Sequence, residues 1–246
     1  MWVNGGTINS GAYSIINDGW IQVSSGTANF STGSGNAVHN QNKGYFEVSG
    51  GTVTISGRLE NTAFGVTPLT GIPATGVSIT GGTINLSTVG NNASNTGAFD
   101  MSTSSILEMS GGTVIFQNPS TAATPLDINI VSGGTKDVIG GTFQIGNGST
   151  SVGSTFMVNS AIDLYNFTIN NTNTPSVKLV SSDLTIDNIL TLNGGILDAA
   201  SNSLSVIVAR SAAAAMARTS GYVTGNLTRY RYFGFMTFYV GTGTAE

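Results

Sequence analysis

One ten-residue template recurs along this chain, and its repetition constrains the fold more than any other feature. Residues 46–55 (FEVSGGTVTI) alternate apolar and polar, turn through Gly-Gly-Thr, and alternate again. Residues 77–86 (VSITGGTINL) and 107–116 (LEMSGGTVIF) repeat the pattern. Residues 138–145 (VIGGTFQI) keep all but the opening position, where Lys136 stands. Weaker copies surround Gly5, Ser25, Asn166 and Gly194. The first corner residues then fall at 5, 25, 50, 81, 111, 140, 166 and 194, at intervals of 20 to 31. Unit length varies while the strand–corner–strand core persists, which is how a solenoid behaves when its loops absorb insertions.

Alternation on both sides of the corner sends one set of side chains inward and the other outward. Val48, Val53 and Ile55, then Ile79, Ile84 and Leu86, then Met109, Val114 and Phe116 are the inward sets. In a stack each inward residue sits on its equivalent one coil away. The Gly pair supplies a turn with positive φ, and the corner threonines stack with hydroxyls bonding locally. A second apolar strand recurs between corners, at 12–16, 37–38, 98–101, 126–131, 155–158 and 177–180.

Gly-Gly between alternating strands also signals an antiparallel hairpin, but hairpins do not require one template eight times. A β-propeller blade needs about 40 residues, which is too long. Composition removes helical alternatives. Gly, Ser, Thr and Asn fill 119 of 246 positions and only 8% are charged, against about 25% in an average domain, so the outer face of ordinary helices has no supply of Lys, Glu and Arg. The expected fold is all-β: a right-handed parallel β-helix of about eight coils over 1–205. A short strand-rich C-terminal segment, 206–246, begins a further β segment.

That last fifth differs. Residues 211–217 (SAAAAMA) are the only helix-prone stretch, one or two turns long. Strands are expected at 222–230 and 235–240. Four of the eight basic residues lie between 210 and 231, a cluster expected to cover the end of the core. Both termini read as cut, because the chain opens on a strand and ends without a cap.

Several functions are excluded early. Eight Lys and Arg against twelve Asp and Glu offer no basic face for nucleic acid. No run of 18 apolar residues exists for membrane insertion, and the start lacks a signal-peptide pattern. Zero Cys removes disulfides and thiolate metal sites.

Residues 183–198 (DLTIDNILTLNGGILD), 221–229 (GYVTGNLTR) and 237–242 (TFYVGT) resemble the repeats of very large secreted surface proteins of Bacteroidota. The likeness is best over 183–242 and only architectural over 1–180. It implies an adhesin-like solenoid array exported by type IX secretion. Tyr239 departs from it, since the family usually places Pro before Val-Gly.

Catalysis requires clustered acids, usually with a basic partner. Glu47 and Glu108 share the position three before their glycine and Asp163 matches them, but in non-adjacent coils without a cation. Asp183, Asp187 and Asp198 fall in one coil, mildly suggestive of calcium, without the Gly-Gly-x-Gly-x-Asp signature. His39 is the only histidine and is expected to be solvated or structural. Trp2 and Trp20 offer sugar stacking, with covering of the core end the favoured alternative. Ice binding needs outward Thr-x-Thr in successive coils, and only Thr52 and Thr54 provide it.

The expectation is therefore a non-catalytic structural or adhesive module of a bacterial cell-surface or extracellular protein, without catalytic, cofactor or metal residues. It stacks end to end in a fibre, filament or stalk, pairing with further repeats or other copies through its ends, with surface glycans as further partners. The alternatives are a polysaccharide-binding or polysaccharide-degrading β-helix protein and an ice-binding solenoid. One register test follows. Val48, Ile79, Met109, Val138, Leu164 and Leu192 should form a single buried ladder.

Overall fold

The structure, a computed structural model, describes residues 1–30, 37–41, 44–61, 76–87, 97–121, 126–170, 173 and 175–230. Across them the chain is almost wholly strand, and every strand pairing is parallel. The strands lie on three faces. Face A precedes the glycine corner and includes Tyr45–Val48, Gly76–Ile79, Ile106–Met109 and Thr135–Val138. Face B follows it, with Thr52–Ile55, Thr83–Leu86, Thr113–Phe116 and Thr142–Ile145. Four strands, Trp2–Asn9, Trp20–Phe30, Leu164–Ile169 and Leu184–Leu192, run through the corner and join the two faces into one sheet.

Face C closes each coil. It is a nine-stranded sheet running from Ile15–Asn17 through Ala37–Asn40, Arg58–Asn61, Phe99–Met101 and Ile128–Ile130, and ending at Tyr222–Thr224. Nine closed coils are therefore described, and Asn226–Arg229 opens a tenth. The nine begin at Trp2, Trp20, Tyr45, Gly76, Ile106, Thr135, Leu164, Leu184 and Ser205. At about 4.8 Å per strand the stack is roughly 40 Å long.

Burial follows the alternation. On face A, Ile21, Phe46, Val77 and Leu107 form one inward column, and Val23, Val48, Ile79, Met109 and Val138 the next. Face B contributes Phe30, Ile55, Leu86, Phe116, Ile145, Ile169 and Leu192 in direct register. Mid-stack the core widens to aromatics. Phe116 and Phe143 stack with planes 17° apart, and Phe99 meets Phe143 edge-on at 5.6 Å.

The glycine pair has two separate causes. The second glycine of each corner has positive φ, as at Gly51 (+72°) and Gly82 (+70°), where a β-carbon is strained. At Gly50, Gly81, Gly111 and Gly140 the first has no such φ. Its hydrogen instead faces the coil before it, and a β-carbon on Gly81 or Gly111 would collide with the carbonyl oxygen of Ser49 or Thr80.

A polar ladder closes the turn from face C to face A. Asn17, Asn40 and Asn61 are buried in register. Asn17 Nδ2 donates to Asn40 Oδ1 at 2.7 Å, and Asn40 Nδ2 to Asn61 Oδ1 at 3.3 Å. Each also donates to the carbonyl opening face A two coils on, at Tyr45, Gly76 and Ile106. The column then changes to Met101, and a turn over Ser102–Ser105 replaces it.

One sequence expectation needs correction. The corners of the seventh and eighth coils are not at 166 and 194. Asn166 pairs with Thr142 and with Ile189, so it follows the corner instead of opening it. Leu192 accordingly lies on the Phe30 column of face B, and Leu164 pairs with Ile186, then Val208. Gly194 and Gly195 turn the chain from face B into face C, where a β-carbon on Gly195 would strike the Pro175 carbonyl. The alanine run keeps to the short helical turn expected of it. Ala213–Ala215 form one 3-10 turn, followed by the strand Met216–Arg218.

Ser205–Val208 pairs with Leu184–Leu192 and then with Asn226–Arg229. The ladder thus continues past residue 205. Of the two strands expected near the C-terminus, 222–230 is seen as Tyr222–Thr224 and Asn226–Arg229. The other, 235–240, lies outside the described residues. Among the described residues no helix is long and apolar enough to cross a membrane.

The corner account makes a matched prediction. Gly111→Ala should destabilise by about 1–3 kcal/mol through overpacking. Gly19→Ala, with no atom within 4 Å of its β-carbon and no positive φ, should change stability by less than about 0.5 kcal/mol. Denaturant titration of the two variants checks it.

Candidate functional site

Outward positions differ sharply from face to face. On face A of coils two to six the first outward column reads Trp20, Tyr45, Gly76, Ile106, Thr135. The second reads Gln22, Glu47, Ser78, Glu108, Asp137, with Trp2 continuing it into the first coil. Glu47 and Glu108 do share a column two coils apart. Asp137, which the sequence pattern did not single out, sits in the coil adjacent to Glu108.

The aromatic groups are tethered to these acids. Trp20 Nε1 donates to Glu47 Oε2 at 3.1 Å, and Gln22 Nε2 to Glu47 Oε1 at 3.2 Å. Tyr45 OH reaches over one whole coil to donate to Glu108 Oε2 at 3.2 Å. Gly76 makes that reach possible, since a β-carbon there would fall 2.8 Å from Tyr45 Cε2. Trp20 and Tyr45 meet edge to face, 6.2 Å apart and 87° between planes. Burial, and then the nearby Glu108 and Glu47 charges, raise the Tyr45 phenol above its usual pKa, keeping it a hydrogen-bond donor. Trp2 and Trp20 are 67% and 58% exposed. They do not cover the core end, because their positions in the alternation point outward.

Beside Glu108 lies a depression of about 140 Å³, lined by Ser78, Thr80, Ser110, Asp137, Met109 and Ile139 among others. Lys136 occupies an inward position, in register with Leu107. Its ammonium turns away from this face and donates to the carbonyls of Ser102, Ser105 and Gly133.

Face C holds a charged column that the sequence pattern did not reveal. His39, Glu60, Asp100 and Asn129 are in direct register through four coils. Glu60 is paired with His39 Nδ1 at 2.7 Å and with Arg58 Nε at 2.9 Å. Asp100 accepts from the Gly97 amide at 2.9 Å and from Asn129 Nδ2 at 3.2 Å. Glu60 and Asp100 are each only 4% exposed. Burial pushes the Asp100 carboxyl up to about 6, reinforced by the Glu60 charge. The strand Arg58–Asn61 escaped the sequence reading because its alternation is charged outside and ends on Asn inside. The recurrence of Asn at 17, 40 and 61, closing three face C strands, was the available signal.

Asp127 is fully buried, accepting from the Ser120 and Met157 amides at 2.7 Å each. Burial pushes it up to about 7.

Face B presents Thr7, Thr27, Thr52, Thr83, Thr113 and Thr142 in one unbroken column. Its second column is Asn9, Asn29, Thr54, Asn85, Ile115 and Gln144, interrupted by Ile115. Asn29 there donates to Asn9 Oδ1 at 2.7 Å, a stacking contact within the ladder.

The three aspartates near 190 are not brought together. Asp183 accepts from the Ser205 amide, and Asp198 from Ser201 and Thr224. Asp187 is raised by burial and then by the Asp163 charge. Among the described residues no three His, Cys, Asp or Glu are grouped to hold a metal. The basic side chains near the C-terminus bind local groups: Arg210 donates to Asn188 Oδ1, Arg218 to the Gly221 carbonyl and Arg229 to the Ala212 carbonyl.

Comparison with protein-family models, curated proteins and solved structures found no match for the chain.

The two raised carboxyls set a pH dependence. Both hold a proton more tightly folded than unfolded, where an aspartate titrates near ~3.9. Their stabilising effect is complete below that value and is lost as pH rises through about 6 for Asp100 and about 7 for Asp127. Melting temperature should therefore fall between pH 5 and pH 8. In Asp100→Asn the fall should be shallower, whatever the variant's absolute stability.

Proposed function

We propose that this chain is a non-catalytic structural and adhesive β-solenoid module of a bacterial cell-surface or extracellular protein, stacking end to end in a fibre or stalk. The observation that carries the reading is the first coil. Trp2–Asn9 pairs only with Trp20–Phe30, and Ile15–Asn17 only with Ala37–Asn40, among the described residues. Their other edges offer backbone donors and acceptors to a further strand. Ile16 and Tyr13 beside that edge are 65% and 81% exposed. With 8% charged residues few side chains repel a neighbouring edge. The Bacteroidota-like segments at 183–198, 221–229 and 237–242 support secretion and the adhesin reading.

Sedimentation and amide exchange test it. Concentrated protein should self-associate, with amides of residues 2–9 and 15–17 gaining protection, and Ile16→Lys should weaken association while leaving the melting temperature unchanged. A monomer at all concentrations, with those amides already protected, would contradict the reading.

One observation favours a second reading, a polysaccharide-degrading β-helix. Glu60 and Asp100 occupy adjacent coils of face C, one ion-paired and the other pushed up to about 6, an arrangement suited to general acid–base work. Their burial opposes it. Incubation with acidic polysaccharides, with and without calcium, should release no reducing ends or unsaturated products. Release that disappears in Asp100→Asn would establish the second reading instead.

A further inference from the structure

The chain has two tryptophans, and both stand outward on face A in adjacent coils, followed by Tyr45 in the third. Single exposed aromatics are ordinary on protein surfaces. Two in adjacent coils with a half-buried third beside them, all with their polar edges fastened, are a built feature. Trp2 Nε1 donates to Ser24 Oγ at 3.2 Å, Trp20 Nε1 to Glu47, and Tyr45 OH to Glu108. Fastening the edges fixes the rings and lowers the entropy lost when a partner stacks on them.

The groups beyond the aromatics are hydrogen-bond acceptors and hydroxyls. As carboxylates, Glu47, Glu108 and Asp137 are acceptors without donors, and Ser78, Thr80 and Ser110 line the depression next to them. Ile139, 65% exposed, gives that depression an apolar wall. None of the outward positions from Trp20 to Thr135, or from Gln22 to Asp137, carries Lys or Arg. Among the described residues the nearby ammonium, Lys136, is spent on three backbone carbonyls. An anionic partner would meet like charge here, whereas a partner with many hydroxyl donors and apolar C–H faces would find matching groups.

We propose that face A of coils one to six binds an uncharged glycan chain, its rings stacking on Trp20 and Tyr45 and its hydroxyls donating to Glu47, Glu108 and Asp137. Because the columns run along the stack, the glycan lies parallel to the solenoid axis, and Trp2 extends the site toward the first coil. This deepens the adhesive half of the proposed function by naming its partner. The rod and its end-to-end stacking do not depend on it.

Tryptophan emission reports this face directly, since both tryptophans lie on it. The protein is titrated with neutral hexasaccharides of glucose, mannose, xylose and N-acetylglucosamine, and with heparin and hyaluronan hexasaccharides. At least one neutral oligosaccharide should give a saturable emission change, and the two anionic ones none. Tyr45→Ala should weaken that binding about tenfold and Glu108→Gln by a few-fold. Tyr13→Ala, which removes an exposed aromatic away from this face, should leave it unchanged. Circular dichroism confirms that each variant keeps its strand content, and Tyr45→Phe provides a milder change that retains the ring. No saturable response to any neutral oligosaccharide, preference for the anionic ones, or equal loss in Tyr13→Ala would overturn the proposal. Self-association would then still stand or fall on its own measurement.

Discussion

Backbone lies directly on backbone at the glycine corner, and the register of the molecule depends on that contact. The carbonyl oxygen before each corner, at Ser24, Ser49, Thr80 and Ser110, occupies the space that a β-carbon would need at Gly50, Gly81, Gly111 and Gly140 of the next coil. The following glycine turns the chain with positive φ. Close approach forces the coils to stack without offset. Once they do, the alternation of each strand places like on like, and Val48, Ile79 and Met109 become a ladder. A one-residue slip would bring every outward Thr and Glu into the core.

The same constraint leaves the outer surface free to differ. Inward positions are mostly apolar on all three faces; Lys136 and Ser160 are exceptions, as is the asparagine ladder, which satisfies the carbonyls of a turn buried away from water. Outward positions carry no packing demand. Face A has aromatic rings tied to carboxylates, face B a threonine column, and face C a charged column under cover. Burial explains the contrast between the acids. Asp100 and Asp127, out of water, are raised to about 6 and about 7, while Asp198 is held below its usual value by Ser201 and Thr224 donors that outweigh its slight desolvation.

The coil body from Phe46 to Ile145 was legible because template and register coincide there. Glycine doublets mark the corners and alternation marks the strands on either side. Legibility failed where a different corner took over. At Tyr165 and at Asp187–Asn188 the strand passes through the corner without glycine, and the doublet that follows, Gly194–Gly195, serves another turn. The functional surfaces were legible in part. Glu47 and Glu108 shared a column on paper, but Asp137 was missed because the fourth template opens on Lys136. The tether from Tyr45 to Glu108 spans 63 residues and depends on Gly76 lacking a side chain, so no local pattern announces it. His39, Glu60 and Asp100 align only after Arg58–Asn61 is accepted as a strand.

The central claim is a parallel stack in which equivalent residues advance by one strand spacing per coil. The chain has no Cys, so spin labels can be placed in pairs on the outer column of face B. With one label at Asn29→Cys, the second is moved to Gln144→Cys and then Thr191→Cys. These positions lie four and six coils along the column. Pulsed electron paramagnetic resonance should give separations near ~19 and ~29 Å, rising by about 4.8 Å per coil. Distances that fail to increase with coil number, as an antiparallel sandwich would give, would contradict the account.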